Sequence, residues 1–280
     1  MEVAQRISDA GPTLTTAERR VAEVVLGKQE LVAFGTVADL ADAAGAGAAT
    51  VVRLAVKLAY DGFSALQAAV QRDLSNQLRP AAERIREAKG GANINAHIER
   101  EIANVQATLH AVDATVLVAA VEHLANIDRP LVVVSGDAST GVCQQFLHDV
   151  QSMRSGAELL TGNQVAVARR VALCEPGDCV VVVDLARYDR WVIEAVTQAR
   201  ERQAWILAIT DSVLSPLAGL ADATLLVSAG ALSPFDSHVG TLALMNLLIT
   251  GLASSLRTVA TKRLDSAERA WKTYDQLVDR

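Results

Sequence analysis

From about residue 131 onward the chain alternates unbroken apolar runs of strand length with helical segments, and few folds accept that pattern. The runs are Leu131–Ser135, Cys179–Asp184, Trp205–Thr210 and Thr224–Ser228. Between them, Gly141–Arg154, Gln164–Ala172, Arg190–Arg202 and a short stretch near Ser215–Leu220 read as helices. Strands that are apolar at successive positions have to be covered on both faces, which predicts a doubly wound parallel sheet of the α/β class. A long helix or helix pair from Ser237 to about Leu277 closes the chain. Val239–Leu256 runs 18 residues without a charge. Gly240, Thr241, Asn246, Thr250, Gly251, Ser254 and Ser255 interrupt it, so a helix buried in a core or a subunit interface is the better reading than a membrane span.

The first 79 residues have a different, all-helical pattern. Thr15-Thr16-Ala17-Glu18 has capping-box spacing and opens a helix carrying Val21, Val24 and Val25, which ends near Gly27. Thr36 is the expected N-cap of a helix that buries Val37, Leu40, Ala41 and Ala44. Gly45-Ala46-Gly47 permits a tight turn, and a further helix follows over Ala48–Ala59. Val51, Leu54, Ala55 and Leu58 are its expected buried side. Ala49, Thr50, Arg53 and Lys57 are its expected open side. Asp61-Gly62 is a turn, and Phe63–Leu78 reads as another amphipathic helix. Helix, Gly-containing turn, helix is the grammar of a helix-turn-helix, whose second helix presents donors and cations to the major groove. A plain helical hairpin with a solvated Arg and Lys satisfies the same spacing. A connector at Pro80–Lys89 and the break at Gly90-Gly91-Ala92-Asn93 divide the two patterns. The expected organisation is therefore 1–79 helix-turn-helix, 80–112 helical linker, and 113–280 α/β domain.

Composition limits the function. The 280 residues hold 26 Lys+Arg against 32 Asp+Glu, a net charge of −6, with 51% apolar residues. That is too apolar for a disordered chain and too acidic for a uniformly basic nucleic-acid coat, though not for a local DNA-reading helix. Residues 1–79 hold 8 basic and 9 acidic side chains, net −1, so any DNA contact neutralises few phosphates. Cys143, Cys174 and Cys179 match no zinc or redox spacing and read as buried apolar residues in a reducing cytosol. The N-terminus lacks the apolar core of a signal peptide, and a cytoplasmic location is expected.

The α/β half carries a candidate ligand loop. Leu131–Val134 runs into Ser135-Gly136-Asp137-Ala138-Ser139-Thr140-Gly141, a hydroxyl-rich strand-to-helix turn of the kind that offers amides to an anion. Val142 replaces the lysine of a P-loop, and Ala138 replaces the middle glycine of a dinucleotide fingerprint. A second strand end carries Asp184-Leu185-Ala186-Arg187-Tyr188-Asp189-Arg190. Arg187 suits a phosphate or carboxylate there, unless Arg187 and Arg190 pair with Asp184 and Asp189.

The run TVADLADAAGAGAATVVRLAVKLAYDGFSALQAAV (Thr36–Val70) resembles the helix-turn-helix domain of the RpiR family of bacterial transcriptional regulators. LTTAERRVAEVVL (Leu14–Leu26) is similar to that family's preceding helix. The resemblance implies that Thr50, Arg53 and Lys57 face the groove and that Ser64 meets a phosphate. Thr36 completes the candidate DNA-binding set. Gly47 and Ala48 replace the family's usual Ser and Glu, and Val56 replaces a second base. Ile209-Thr210-Asp211-Ser212-Val213-Leu214-Ser215-Pro216-Leu217-Ala218 resembles the signature of sugar isomerase (SIS) domains, where Asp211 and Ser212 serve turn and cap chemistry. The resemblance implies an effector site containing Gly136, Ser139, Thr140, Asp184, Arg187 and Ser237. The second loop of phosphosugar-binding domains usually reads Ser-x-Ser-Gly-x-Thr; here Asp184, Ala186 and Asp189 replace its hydroxyls and Arg187 replaces its glycine. An acid there repels a phosphate dianion unless Arg187 neutralises it.

None of His97, His110, His123, His148 and His238 lies in a motif that pairs it with a nucleophile, and no metal-binding spacing occurs, so neither turnover, cofactor nor metal is expected. The sequence thus predicts a regulator that binds a double-stranded DNA operator and a small-molecule effector, a sugar phosphate or related metabolite. It is expected to act as a homodimer or homotetramer, without a membrane. The alternatives are an SIS-type sugar-phosphate isomerase with a helical appendix, or a scaffold whose two sites are vestigial.

Overall fold

The computed structural model describes residues 3, 6–7, 10–77, 80–87, 91–213 and 215–278. Leu78, Lys89, Gly90 and Leu214, which figure in the sequence reading, lie outside the described residues. The chain forms two compact units. One comprises the described residues of 1–107 with 212–214 and 230–237, and the other those of 108–211, 215–229 and 238–280.

In the first unit, α1 (Thr16–Gly27), α2 (Gln29–Phe34), α3 (Val37–Ala43), α4 (Ala48–Lys57) and α5 (Gly62–Gln77) surround one core. Val21, Val25, Leu40, Val51, Leu54 and Leu66 are at its centre. α6 (Ala81–Glu87) and α7 (Ile94–His110) follow. The six-residue α2 is an addition to the expected elements. Gly45 adopts φ +56 in the turn between α3 and α4, a conformation that Gly enters without strain. Its carbonyl accepts from Arg20 Nη2 at 3.0 Å, which ties the turn to α1.

The predicted capping box at α1 is present and extends further than a box. Glu18 Oε2 accepts from Thr15 N at 2.8 Å and from Lys57 Nζ at 2.8 Å. Lys57 also donates to the Thr13 carbonyl at 2.6 Å. The Lys57 ammonium and the Thr15 amide hold the Glu18 carboxyl down at about 2. A depressed carboxylate stabilises the fold above its unfolded value and stops doing so as pH falls. Glu18→Ala is therefore expected to destabilise the helical unit by about 1–2 kcal/mol at neutral pH. The difference from the parent should shrink as pH drops from 4.5 towards about 2. Urea melts followed by far-ultraviolet circular dichroism check both points.

The second unit holds five parallel strands in the order β2-β1-β3-β4-β5. They are β1 (Leu131–Ser135), β2 (Ala157–Leu160), β3 (Cys179–Val183), β4 (Trp205–Thr210) and β5 (Ala223–Leu226). Every β1 and β3 residue is buried, as the apolar runs predicted. Alternate side chains serve two cores. Leu131, Val133, Val181 and Ile209 face α8 (Ala114–Ala125), α9 (Thr140–Met153), α12 (Val239–Ser255) and α13 (Arg257–Thr273). Val132, Val180, Val182 and Ile206 face α10 (Gln164–Ala172) and α11 (Arg190–Glu201). This is the doubly wound parallel sheet expected.

The predicted closing segment is a helix pair, α12 and α13. α12 buries Gly240, Thr241, Leu244, Met245, Leu248 and Leu252. Among the described residues no single helix is long and apolar enough to cross a membrane. The stretch near Ser215–Leu220, expected as a short helix, is a series of turns instead. The three cysteines are free and buried, and burial pushes the thiols of Cys143 and Cys179 up to about 12. They behave as small apolar side chains. Arg154 is 1% exposed beneath this sheet, and its guanidinium donates to three backbone carbonyls.

Candidate functional site

The open flank of α4 differs from the expected one. Thr50 is buried, so it is not among the open residues. Its hydroxyl accepts from Arg53 Nη2 at 2.9 Å, and the buried threonine thereby orients the exposed arginine. Helical pitch gives the reason: Thr50 sits one turn before the core residue Leu54, about 40° from it around the axis. Val52 and Val56 lie on the opposite side and are 41% and 59% exposed. Lys57 is on the flank of the helix, with its ammonium held by Glu18 and Thr13. The exposed surface of α4 is thus Ala48, Ala49, Val52, Arg53, Val56 and the stem of Lys57. Gly47 supplies no side-chain cap to the helix, as its identity predicts.

Thr36 is exposed at the start of α3 and forms a reciprocal cap with Asp39. The Thr36 amide and hydroxyl both donate to Asp39 Oδ2, at 2.8 and 2.7 Å, and lower the pKa of that carboxyl. Ser64 is exposed in the first turn of α5, where free amides and the positive end of the helix dipole suit an anion.

In the sheet unit, the expected loop residues gather at the carboxyl ends of β1 and β3. Gly136, a short 3₁₀ turn over Asp137–Ser139, and Thr140 lead into α9. The Ser135 and Thr140 hydroxyls turn inward and donate to the Gly136 carbonyl at 2.8 and 3.2 Å. Ser139 Oγ is fully buried and has no hydrogen-bond partner among the described residues.

Asp184 dominates the second loop. Its carboxylate is 4% exposed and accepts from the amides of Leu185 at 3.0 Å and Asp189 at 2.7 Å. Asp189 in turn accepts from the Asp137 amide at 2.8 Å. Three amides that an external anion would seek are therefore held by the protein's own carboxylates. Burial pushes the Asp184 carboxyl up to about 6, the two amides pull it down in part, and the charges of Asp189 and Asp211 add to the rise. The carboxylate also lies against the Gly136 backbone: a Cβ at 136 would come within 2.2 Å of Asp184 Oδ1.

Arg187 is exposed in a left-handed conformation, φ +59. Among the described residues neither Arg187 nor Arg190 pairs with Asp184 or Asp189. Asp211, read from the sequence as turn chemistry, accepts from the Tyr188 hydroxyl at 2.8 Å, and burial raises that phenol's pKa. Asp189 and Tyr188 are the residues whose roles the sequence reading missed. Their proximity in sequence to Arg187 was the available signal. Ser237 belongs to the helical unit, where its hydroxyl donates to Glu101 Oε2 at 2.6 Å. Among the described residues no cluster of metal-ligating side chains occurs.

Comparison with known proteins fits both halves. The profile for the helix-turn-helix domain of the rpiR family matches residues 1–77, and that for the SIS domain matches residues 123–251. The chain is 24% identical over 226 residues to an uncharacterized HTH-type transcriptional regulator of Haemophilus influenzae, covering 79% of this chain and 77% of that one. It is 23% identical over 261 residues to the HTH-type transcriptional regulator HexR of Escherichia coli, covering 90% and 88%. The sugar isomerase domain of an RpiR transcription factor from Sphaerobacter thermophilus superposes with a TM-score of 0.59 at 28% identity, over 62% of this chain and 97% of that one. NanR of Vibrio vulnificus, solved in complex with ManNAc-6P, shares the fold over the full length of both chains, with a TM-score of 0.60 at 21% identity. With an rpiR-type helix-turn-helix ahead of an SIS domain, and helix-turn-helix regulators among its relatives, this chain belongs to the RpiR family of DNA-binding transcriptional regulators.

Proposed function

We propose that the chain regulates transcription as a cytoplasmic homodimer, or a tetramer built from such dimers, whose DNA affinity changes when its SIS domain binds a sugar-related metabolite. In this reading residues 1–79 bind DNA, 80–112 link, and 113–280 sense the effector and dimerise. The observation that carries the reading is the exposed guanidinium of Arg53 on the open flank of α4, oriented by Thr50. Arg53 reads a base edge. Ser64 and Thr36 contact phosphates. Lys57 acts mainly as a positioning residue that fixes α4 against α1. Two such helices meet half-sites spaced by about one helical turn, roughly 34–36 Å, or a multiple of it.

The effector occupies the carboxyl ends of β1 and β3, near Gly136, Ser139, Thr140, Asp184 and Arg187. A sugar phosphate is the class bound by the NanR relative. Here any phosphate has to lie away from the three amides that Asp184 and Asp189 hold, towards Arg187. No catalytic turnover is proposed, in keeping with relatives that are transcriptional regulators.

A gel-shift titration tests the DNA-binding half of the proposal. Duplexes tiled across the DNA upstream of the chain's own gene are expected to include one bound specifically. Arg53→Ala should weaken that binding by roughly 10- to 100-fold, the range for losing one bidentate base contact. Unchanged specific binding by a folded Arg53→Ala protein would remove Arg53 from the reading face.

A further inference from the structure

The flank of α4 that bears Arg53 is otherwise apolar. Val52 and Val56 stand one turn apart, on either side of Arg53 in the sequence, and are 41% and 59% exposed. Ala48 and Ala49 are exposed at the start of the same helix. α4 has no acidic residue in its first turn, and its last-turn cation is the tethered Lys57. Valine is a poor choice for an open helical position on propensity grounds, because its branched Cβ restricts rotamers and an exposed side chain gains nothing from burial. The pair therefore costs the isolated domain something that a contact has to return.

We propose that Val52 and Val56 pack against thymine 5-methyl groups that neighbour the base contacted by Arg53. The inference rests on the DNA-reading assignment of α4 and adds to it the kind of sequence read. In the major groove, thymine is the base that displays a methyl group, and apolar side chains are its natural partners. Arg53 suits guanine, because it is exposed, one guanidinium nitrogen is held by Thr50, and further N–H groups are left to donate to the two guanine acceptors. A helix so equipped reads thymines flanking a guanine through one charge and two methyl-sized contacts. It needs little of the positive charge that the domain lacks.

The test uses the full-length chain. Duplexes enriched from a random-sequence pool are resynthesised with deoxyuridine replacing thymidine, one position at a time, which deletes only the methyl group. At one or more thymines beside an essential guanine, affinity is expected to fall about fourfold, the factor corresponding to one buried methyl group. The double variant Val52→Ala, Val56→Ala should bind the thymidine duplex more weakly than the parent and show no further loss on the deoxyuridine duplex. Both changes favour the helix, so the domain stays folded. Equal affinity of the parent for the two duplexes overturns the methyl reading. So does a deoxyuridine penalty that persists in the double variant, since it then arises from DNA shape. Failure to enrich any duplex overturns the DNA-reading assignment itself, a result distinct from enrichment without a methyl effect.

Discussion

Arg154→Met is expected to destabilise the SIS unit by about 3–5 kcal/mol. The guanidinium is 1% exposed and donates to the carbonyls of Leu124 at 2.6 Å, Ser155 at 3.0 Å and Arg129. These three groups come from the end of α8, the approach to β1 and the approach to β2. One side chain therefore joins three segments. Methionine fills similar space and leaves all three carbonyls without that donor. Burial also lowers the pKa of Arg154, a sign that its charge is held at a cost which the carbonyl dipoles offset. Arg154→Lys keeps the charge but cannot span three acceptors in a plane, so an intermediate loss is expected. Trp191, Trp205 and Trp271 all belong to this unit and report its urea unfolding by fluorescence. A midpoint for Arg154→Met equal to that of the parent would show that the three segments are held by other means.

Gly136→Ala is expected to cost about 2–4 kcal/mol by overpacking. The backbone at 136 has φ −59, so alanine suits the conformation, and the penalty is one of space alone. The new Cβ meets Asp184 Oδ1 at 2.2 Å, and that carboxylate cannot swing away without releasing the Leu185 and Asp189 amides. Gly136→Ala combined with Asp184→Ala should recover a substantial part of the loss. The non-additivity of the double-mutant cycle measures the contact. The pH dependence supplies a second readout. The Asp184 carboxyl is raised from 3.8 to about 6, so the folded state holds its proton more tightly than the unfolded state. Its contribution then opposes folding by roughly 3 kcal/mol above the raised value and fades as pH falls to the unfolded one. Asp184→Ala should lack this dependence.

The sequence made the sheet legible because β1, β3 and β4 are buried on both faces and so are apolar at successive positions. β2 went unseen for the complementary reason. Ala157–Leu160 is four residues long, lies at the sheet edge, is only half-buried, and includes Glu158. In the helical unit, the Thr15–Glu18 and Thr36 caps were readable from spacing, since a cap is a local object. Lys57 was not, because its partners Thr13 and Glu18 are 44 and 39 residues away. Spacing puts Thr50 on one face with Arg53 and Lys57, but the same spacing puts it one turn from the core residue Leu54, and the structure buries it. The packing of Asp184 on Gly136 and the Asp189–Asp137 bond depend on the adjacency of β1 and β3, which no local pattern encodes.

The carboxylates of Asp184 and Asp189 have a consequence for induction. Asp189 latches the ends of β1 and β3 together through the Asp137 amide, and Asp184 closes the loop after β3 through the amides of Leu185 and Asp189. A guest shifts a two-state protein only by the difference between its affinities for the two states, and bonds made before it arrives add nothing to that difference. At the proposed effector site, the amplitude of a response is therefore set by groups outside these bonds.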